Sequence, residues 1–469
     1  MSAPQQQEYF IESAVLTADR LDEQYDIRSY IFALNFFESL DKPYVTGQVM
    51  FMDDIGLIQE IQLKGTEQIT FKIRSGSSPE GGATWQMTFN IVSIIEATRT
   101  SERVEAYHIN LISPHAFRDQ NIKISRSYTG RITEISEAIL KNHLEVDLDR
   151  SYADGETEVQ EPVRIITPYI SPLESVVWLI DRATTSIGAP YYIYQTLYDQ
   201  QAGAEGEEPK DKLRLGNLET MMSQEGFNSD IHAQHTISGA NQVALKTYAE
   251  QKSTVKAYAV ANVEDTLKLC QEGALGANLI QLDTFTSQRF VRHLDTGNLL
   301  DRLASRSIIS DRTLQNVYDE EQKITVGGEE KTLGECDSRF LTSINSFGTY
   351  GTVNSYADVQ DQSQAMNKIR SSAVRSLLNR NMIDVTITGA LTFAPKAAGG
   401  ESLLTIGDVI WIDFIESDVD KKTPKKNAEL SGKYLIHKAR NIYRDTIHET
   451  IISVSKLARD ETSDSSESD

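Results

Sequence analysis

The stretch KYLIHKARNIYRDTIHETIISVSK (residues 433–456) decides how this chain is read, because it carries His437 and His448, two of its eight histidines. One reading is a metal site or an acid–base pair. The other is a β-hairpin with one histidine on each arm. No second ligand pair and no carboxylate at an orienting spacing accompanies them. Both are therefore expected to be strand residues without a chemical role.

Working outward, the hairpin belongs to a pattern found twice. VTGQVMF (45–51) and LKGTEQITFKI (63–73) place Gly47 and Gly65 at a separation of 18. ITGALTF (387–393) and TIGDVIWIDF (405–414) place Gly389 and Gly407 at the same separation. Each unit has a β-run through a glycine, a loop, a second glycine in a turn and an alternating strand. Each then runs into a hairpin, FNIVSIIEATRTSERVEAYHINLIS (89–113) in the first unit, with His108 on one arm only. The expectation is a duplicated β-barrel in which residues 44–73 and 386–414 are equivalent.

Strand character covers residues 9–115, in five runs (30–40, 44–54, 67–75, 84–95 and 104–113) rich in β-branched and aromatic residues and divided by turn formers. A helix is predicted over 131–144, where Ile132, Ile135, Ile139 and Leu140 share one face. A second helix opens at Ser171 as N-cap, with Pro172 at its first position and Glu174 placed to close a capping box. Its stripe is Leu173, Val176, Val177 and Ile180, its stop Gly188 and Pro190, and it should support the aromatic strand YYIYQTL (191–197). LRLGNLETMM (213–222) can pair back on that strand. Residues 225–375 resist parsing, although QVALKTYAEQKSTVKAYAVANV (242–263) has strand character and GNLLDRLASRSII (297–309) is amphipathic. A helix over 364–380 precedes the second β-unit. The final DETSDSSESD (460–469) holds five acids and no apolar anchor, the composition of a disordered tail.

At 469 residues the chain can form two to four domains. No apolar run approaches the ~18 residues needed to span a bilayer, and the opening MSAPQQQEYF has no export signal. Cys270 and Cys336 are too few and too separated for a disulfide framework or zinc cluster, consistent with a reducing cytosol. Forty-six basic against 68 acidic side chains give a net charge of −22. That sign opposes nucleic-acid binding, which needs a basic footprint. It serves solubility, or a wall past which nucleic acid slides.

Enzymatic motifs are lacking: no P-loop, GxGxxG, HExxH, GxSxG or CxxC occurs. His232 and His235 have helical ligand spacing but no third ligand nearby. Asp154, Gly155 and Glu161 fit three EF-hand positions, but Arg150 and Tyr152 fall where carboxylates are required. Pairs such as Asp147/Asp149 are expected in any acidic chain and identify no glycosidase. Tyr191, Tyr192 and Tyr194 could form a ligand wall, although strand-core packing explains them better. No catalytic, cofactor-binding or metal-ligating residue is assigned, and no cofactor is expected.

YVTGQVMFMDDIGLIQEIQLKGTEQITFKI (44–73) resembles the first domain of the central baseplate hub protein of T4-like contractile-tailed bacteriophages. SPLESVVWLIDRATTSIGAPYYIYQTLYD (171–199) followed by LRLGNLETM resembles that family's inserted region. LLTIGDVIWIDF (403–414) with LSGKYLIHKARNIYRDTIHETIISVSK (430–456) resembles the closing strands of its second tube domain. The resemblance covers about residues 10–220 and 365–458; the acidic loop at 201–212 and the acidic tail depart from it. It implies an α+β fold, with two similar antiparallel β-barrel tube domains and a mixed α/β region inserted between their strands. The expected division is 1–117 (first barrel), 118–232 (inserted α/β domain), 233–363 (mixed region lending strands to the second barrel), 364–459 (second barrel) and 460–469 (tail).

By the same resemblance the chain would be a structural baseplate protein of the virion, assembled in the host cytoplasm, and not an enzyme. It would form a homotrimeric pseudo-sixfold ring between a sixfold tail-tube or tube-initiator ring and a threefold central spike. Tape-measure and wedge proteins would be further partners. DNA would transit the channel without specific binding, and no membrane would be engaged. The inner wall is then expected to be net negative, with the loop DKKTPKK (420–426) facing outward. Two rivals make different demands. A tail-associated cell-wall hydrolase needs a carboxylate or Cys/His dyad in a cleft. A carbohydrate-binding β-protein needs an exposed aromatic platform, with Tyr191–Tyr194 and Trp411 as its candidates.

Overall fold

The computed structural model describes residues 8–18, 20, 24–54, 56–75, 84–99, 104–153, 162–201, 210–224, 255–260, 266–283, 287–294, 296–305, 323–332, 335–336, 339–345, 350–352, 355–356, 363–380, 382–389, 404–412, 414 and 431–455. The expectations for His232, His235, the 154–161 segment, the 420–426 loop and the tail lie outside these residues.

Seven strands form the first unit: β1 (Tyr9–Thr17), β2 (Tyr25–Asp26), β3 (Ile31–Ser39), β4 (Thr46–Asp53), β5 (Gln68–Ser75), β6 (Thr84–Arg99) and β7 (Glu105–Ile112). Alternation decides which side of each is buried. In β4, Gly47, Val49, Phe51 and Asp53 point inward, as the two-residue period of an extended chain requires. β3, β4, β7, β6, β5 and β1 are joined in that order, all antiparallel.

The path curls around its own core. Phe36 on β3 meets Phe71 on β5, with ring centroids 5.6 Å apart, although three strands separate them along the path. Trp85 and Phe89 on β6 complete the cluster around Phe36.

Between the units lies the mixed region. It contains β8 (Ser127–Gly130), β9 (Asp147–Tyr152), β10 (Val163–Ile166), β11 (Tyr191–Tyr194), β12 (Gln200–Gln201) and β13 (Lys210–Asn217). β13 pairs antiparallel with β11, as LRLGNLETMM suggests, and parallel with β9. The helices Ile132–Leu144 and Pro172–Ile180 cover this sheet, burying Ile135, Ile139, Leu140, Leu173, Val176 and Leu179 in a third core.

Farther along come β14 (Ala257–Val260), β15 (Ala277–Asp283), β16 (Gln288–Leu294), β17 (Lys323–Val326), β18 (Glu329–Thr332), β19 (Arg339–Asn345), β20 (Tyr350–Thr352) and β21 (Ser355–Tyr356). The amphipathic 297–309 segment supplies a helix at Thr296–Ser305 that buries Leu299, Leu300 and Leu303. The predicted 364–380 helix runs Ser363–Arg380.

The second unit contains β22 (Met382–Thr388), β23 (Val409–Ile412), β24 (Gly432–Arg444) and β25 (Ile447–Ser455). β14, β22, β25, β24 and β23 are joined in that order, again all antiparallel. This is the pairing order of β3, β4, β7, β6 and β5. Here too the ends meet through the interior, with Tyr258 on β14 and Phe414 just past β23 at 4.9 Å between centroids. The two units join where β24 pairs with β3, Lys438–Arg444 against Ala33–Ser39.

The glycine echo is half right. Gly65 and Gly407 lie in corresponding turns, ahead of β5 and β23, with positive φ, +89° and +83°, although Gly65 stands three residues before Gln68 and Gly407 two before its counterpart Val409. Gly47 and Gly389 do not correspond. Gly47 faces Leu111 in β7, and Leu111 corresponds through its β6 partner to Val454, which faces Ile383. Gly389 instead follows the end of β22, six residues beyond Ile383. The equal glycine spacing is therefore a coincidence of loop lengths at its first member.

Two further expectations need correction. Among the described residues the strands run as one open twelve-stranded sheet, so closure of each unit into a barrel by hydrogen bonds is not seen. The second helix ends at Ile180 rather than reaching 187. Its last turn tightens as Arg182 and Ala183 donate to Leu179 and Ile180. Thr185 N–H then donates to Ala189 O, forming the turn that leads to β11. Ser171 does cap the start, accepting the Glu174 N–H at 3.3 Å.

Trp178 lies half-buried at the margin of this core, with the Arg182 guanidinium 4.3 Å over its ring. A fully buried ring would cost ~3–5 kcal/mol on truncation. For Trp178→Ala we expect about 1–2 kcal/mol, since only part of the ring is withdrawn from water and a partly exposed cation–π contact adds little. Denaturant unfolding of the variant measures it.

Candidate functional site

His437 on β24 and His448 on β25 lie on opposite arms of a hairpin whose turn is Asp445–Thr446, and both are fully buried. His448 stacks on Tyr443 with centroids 4.1 Å apart. Burial, aided by the charge of Lys256, lowers its pKa to about 3, so it is neutral at physiological pH. His437 Nε2 lies 2.9 Å from Asp41 Oδ2, across a sequence separation of 396. Burial disfavours the charge on Asp41, but the hydrogen bond and charge of His437 outweigh it, and its pKa falls.

A second buried cluster contains the residue types of a hydrolase triad. His115 Nδ1 lies 2.9 Å from Asp211 Oδ2, and Ser113 is close in sequence. The connectivity is wrong for nucleophilic catalysis. His115 Nε2 is engaged by the Pro43 carbonyl at 2.8 Å, while Ser113 Oγ lies 2.6 Å from Gln195 Oε1 and accepts the Val45 N–H at 3.0 Å. A triad needs Nε2 on the serine oxygen. Ser113, His115 and Asp211 are also sealed from solvent. This cluster pins the β3–β4 turn to the mixed region's β13.

The third cluster centres on Glu38 of β3. Its Oε1 accepts the Leu197 N–H at 2.9 Å and the Thr405 hydroxyl at 3.2 Å; its Oε2 accepts the Asn441 Nδ2 amide at 3.0 Å. One carboxylate thus ties the first unit to the mixed region, to the segment leading into β23, and to β24. Burial raises its pKa to about 7, against the lowering effect of the Leu197 and Thr405 hydrogen bonds.

These contacts are joints between distant elements of the chain. Tyr191, Tyr192 and Tyr194 are buried to 1 % exposure or less, leaving no platform for a sugar on that strand, while Trp411 is 44 % exposed and stands on β23. Asp149 is in an ion pair with Lys212 at 2.8 Å, and no group of three metal-ligating side chains occurs among the described residues. The joints escape sequence reading because their partners are far apart along the chain. The only local hint was the presence of charged and imidazole residues at inward positions of strands.

No protein-family model matches the chain, and no curated protein matches it. Solved structures do resemble it. It is similar to the 43 kDa tail protein of prophage MuSo2 from Shewanella oneidensis at 12 % identity and TM-score 0.48, covering 95 % of this chain and 99 % of that one. It is similar to the tail protein from Neisseria meningitidis MC58 at 8 % identity and TM-score 0.46, covering 96 % and 97 %. The Escherichia coli c3393 protein is described as a type VI secretion component with structural similarity to T4 tail proteins gp27 and gp5. Its likeness stands at 9 % identity and TM-score 0.40, covering 94 % and 76 %.

Proposed function

We propose that this chain is the structural hub of a contractile phage tail baseplate. In this reading three copies form a pseudo-sixfold ring, adapting a sixfold tail tube to a threefold spike and lining part of the DNA conduit. The domain division given above and the two-barrel description belong to the same proposal. The observation that carries it is the repeated pairing order, β3-β4-β7-β6-β5 and β14-β22-β25-β24-β23, within one chain. A threefold assembly of such a chain presents six similar strand sets, which is the symmetry an adaptor between threefold and sixfold partners needs. The net charge of −22 suits a conduit, because a basic lining would gain affinity through counterion release at every phosphate and stall transit.

Native mass spectrometry of the purified chain tests this: a trimer is expected, and a monomer would overturn the reading. We also expect no cell-wall hydrolysis by the isolated chain. A zymogram with clear lysis, abolished by replacing a single Asp, Glu or His, would instead establish the hydrolase.

A further inference from the structure

The two strand sets are equivalent in pairing order but not in what covers their edges. In the second unit β24 changes partner along its length. Gly432–Leu435 lies against β23, and beyond the irregularity at His437 the same edge takes up β3. β6 is built alike. Thr84–Asn90 lies against β5, and an irregularity follows at Val92, at the same offset from the end of the shorter partner; β6 adds a second irregularity at Ile95 that β24 lacks. Beyond Val92, however, β6 has a described strand on one side only, β7. At the other end of the path β14, the counterpart of β3, has a described strand only on its β22 side.

Side chains register the difference. Matched through their partners on β7 and β25, Val92 corresponds to His437 and Ile94 to Ala439. His437 and Ala439 are 0 % and 6 % exposed, whereas Val92 and Ile94 are 49 % and 39 % exposed, with Ile95 at 57 %. Three aliphatic side chains within four residues of an open strand are a pairing hazard unless something covers them.

We propose that a second copy of this chain covers them: the β6 edge from Val92 to Arg99 pairs antiparallel with β14 of the neighbouring copy. This joint is the between-chain counterpart of β24 on β3, and it deepens the ring reading above by assigning the surfaces. The within-chain joint supplies the register. Ile442 faces Asn35, which places Thr98 of one copy opposite Ala259 of the next; Asn441 faces Phe36, which places Ala97 opposite Val260. The two edges are different strands, so the contact is heterologous and each copy offers one of each until a ring closes.

Cysteine cross-linking of the full chain tests the assignment. Thr98→Cys chains mixed with Ala259→Cys chains should give, on oxidation, mixed covalent dimers that neither variant forms alone. The double variant Thr98→Cys/Ala259→Cys should give covalent rings no larger than the native assembly. Ile94→Lys, which places a charge on the edge, should release a monomer with an unchanged circular dichroism spectrum. A native trimer without any 98–259 link would overturn this joint while leaving the ring standing. A Thr98→Cys homodimer would show a two-fold contact and overturn it as well. A wild-type monomer would overturn both.

Discussion

Glu38→Ala is expected to destabilise the protein by about 3 kcal/mol at pH 5, because it strips the acceptor from three buried donors at once. The Leu197 N–H, the Thr405 hydroxyl and the Asn441 amide all converge on this carboxyl group, and all three residues are buried. The cost should shrink at pH 8, for a reason that fixes the pH dependence of the wild type. Burial raises the Glu38 pKa to about 7 from an ordinary 4.5. Between those values the folded state holds a proton that the unfolded state has lost, so Glu38's contribution to stability falls as pH rises through this window. The shift corresponds to about 3 kcal/mol once both states are ionised. His448 acts with the opposite sign. Its lowered pKa means the unfolded chain binds the extra proton between about 3 and 6.5, so its contribution rises with pH there. The two are separated by difference. Relative to Glu38→Gln, which cannot titrate, the wild type should lose about 3 kcal/mol between pH 4.5 and pH 8. Urea unfolding of both proteins across that range measures it, and a constant difference would show that Glu38 is ionised throughout.

Gly407→Ala should cost about 3 kcal/mol, and Gly65→Ala only about 1, although both glycines enter equivalent strands with left-handed backbone. The conformational part is shared, since an L-residue at such φ pays about 1–2 kcal/mol. The surroundings differ. A Cβ on Gly407 would lie 2.5 Å from the phenol oxygen of Tyr194, whereas at Gly65 the nearest atom is 4.0 Å away. Tyr194 is buried among the residues that join the mixed region to the second unit, and the Gly407 backbone is held by bonds to Ile436 and Gln224. Neither side can retreat, so an overpacking cost of about 1–3 kcal/mol adds to the strain. Thermal unfolding of the two variants side by side gives the comparison; equal losses would mean that the Tyr194 ring yields.

Local patterning along the chain was enough to place the elements. Alternation located β3 to β7 to within a residue or two at most ends, because the side-chain period of a strand depends only on neighbours along the chain. The Ser171 cap and the pairing of β13 back onto β11 were legible for the same reason. The duplication was visible as an echo, but its register was not: Gly47 and Gly389 share a spacing without sharing a position, and only strand pairing distinguishes the two. The end of the second helix was missed because a tightened turn at Leu179–Ala183, and not the later Gly188, stops it.

Tertiary structure alone decided the polar joints and the open edges. Asp41 and His437 are 396 residues apart, and Glu38 and Thr405 are 367 apart, so nothing local announces that they meet. The aliphatic run at Val92–Ile95 reads as core in one dimension. It is exposed because β6 outruns β5, and whether a strand edge is covered is a property of the sheet rather than of the strand.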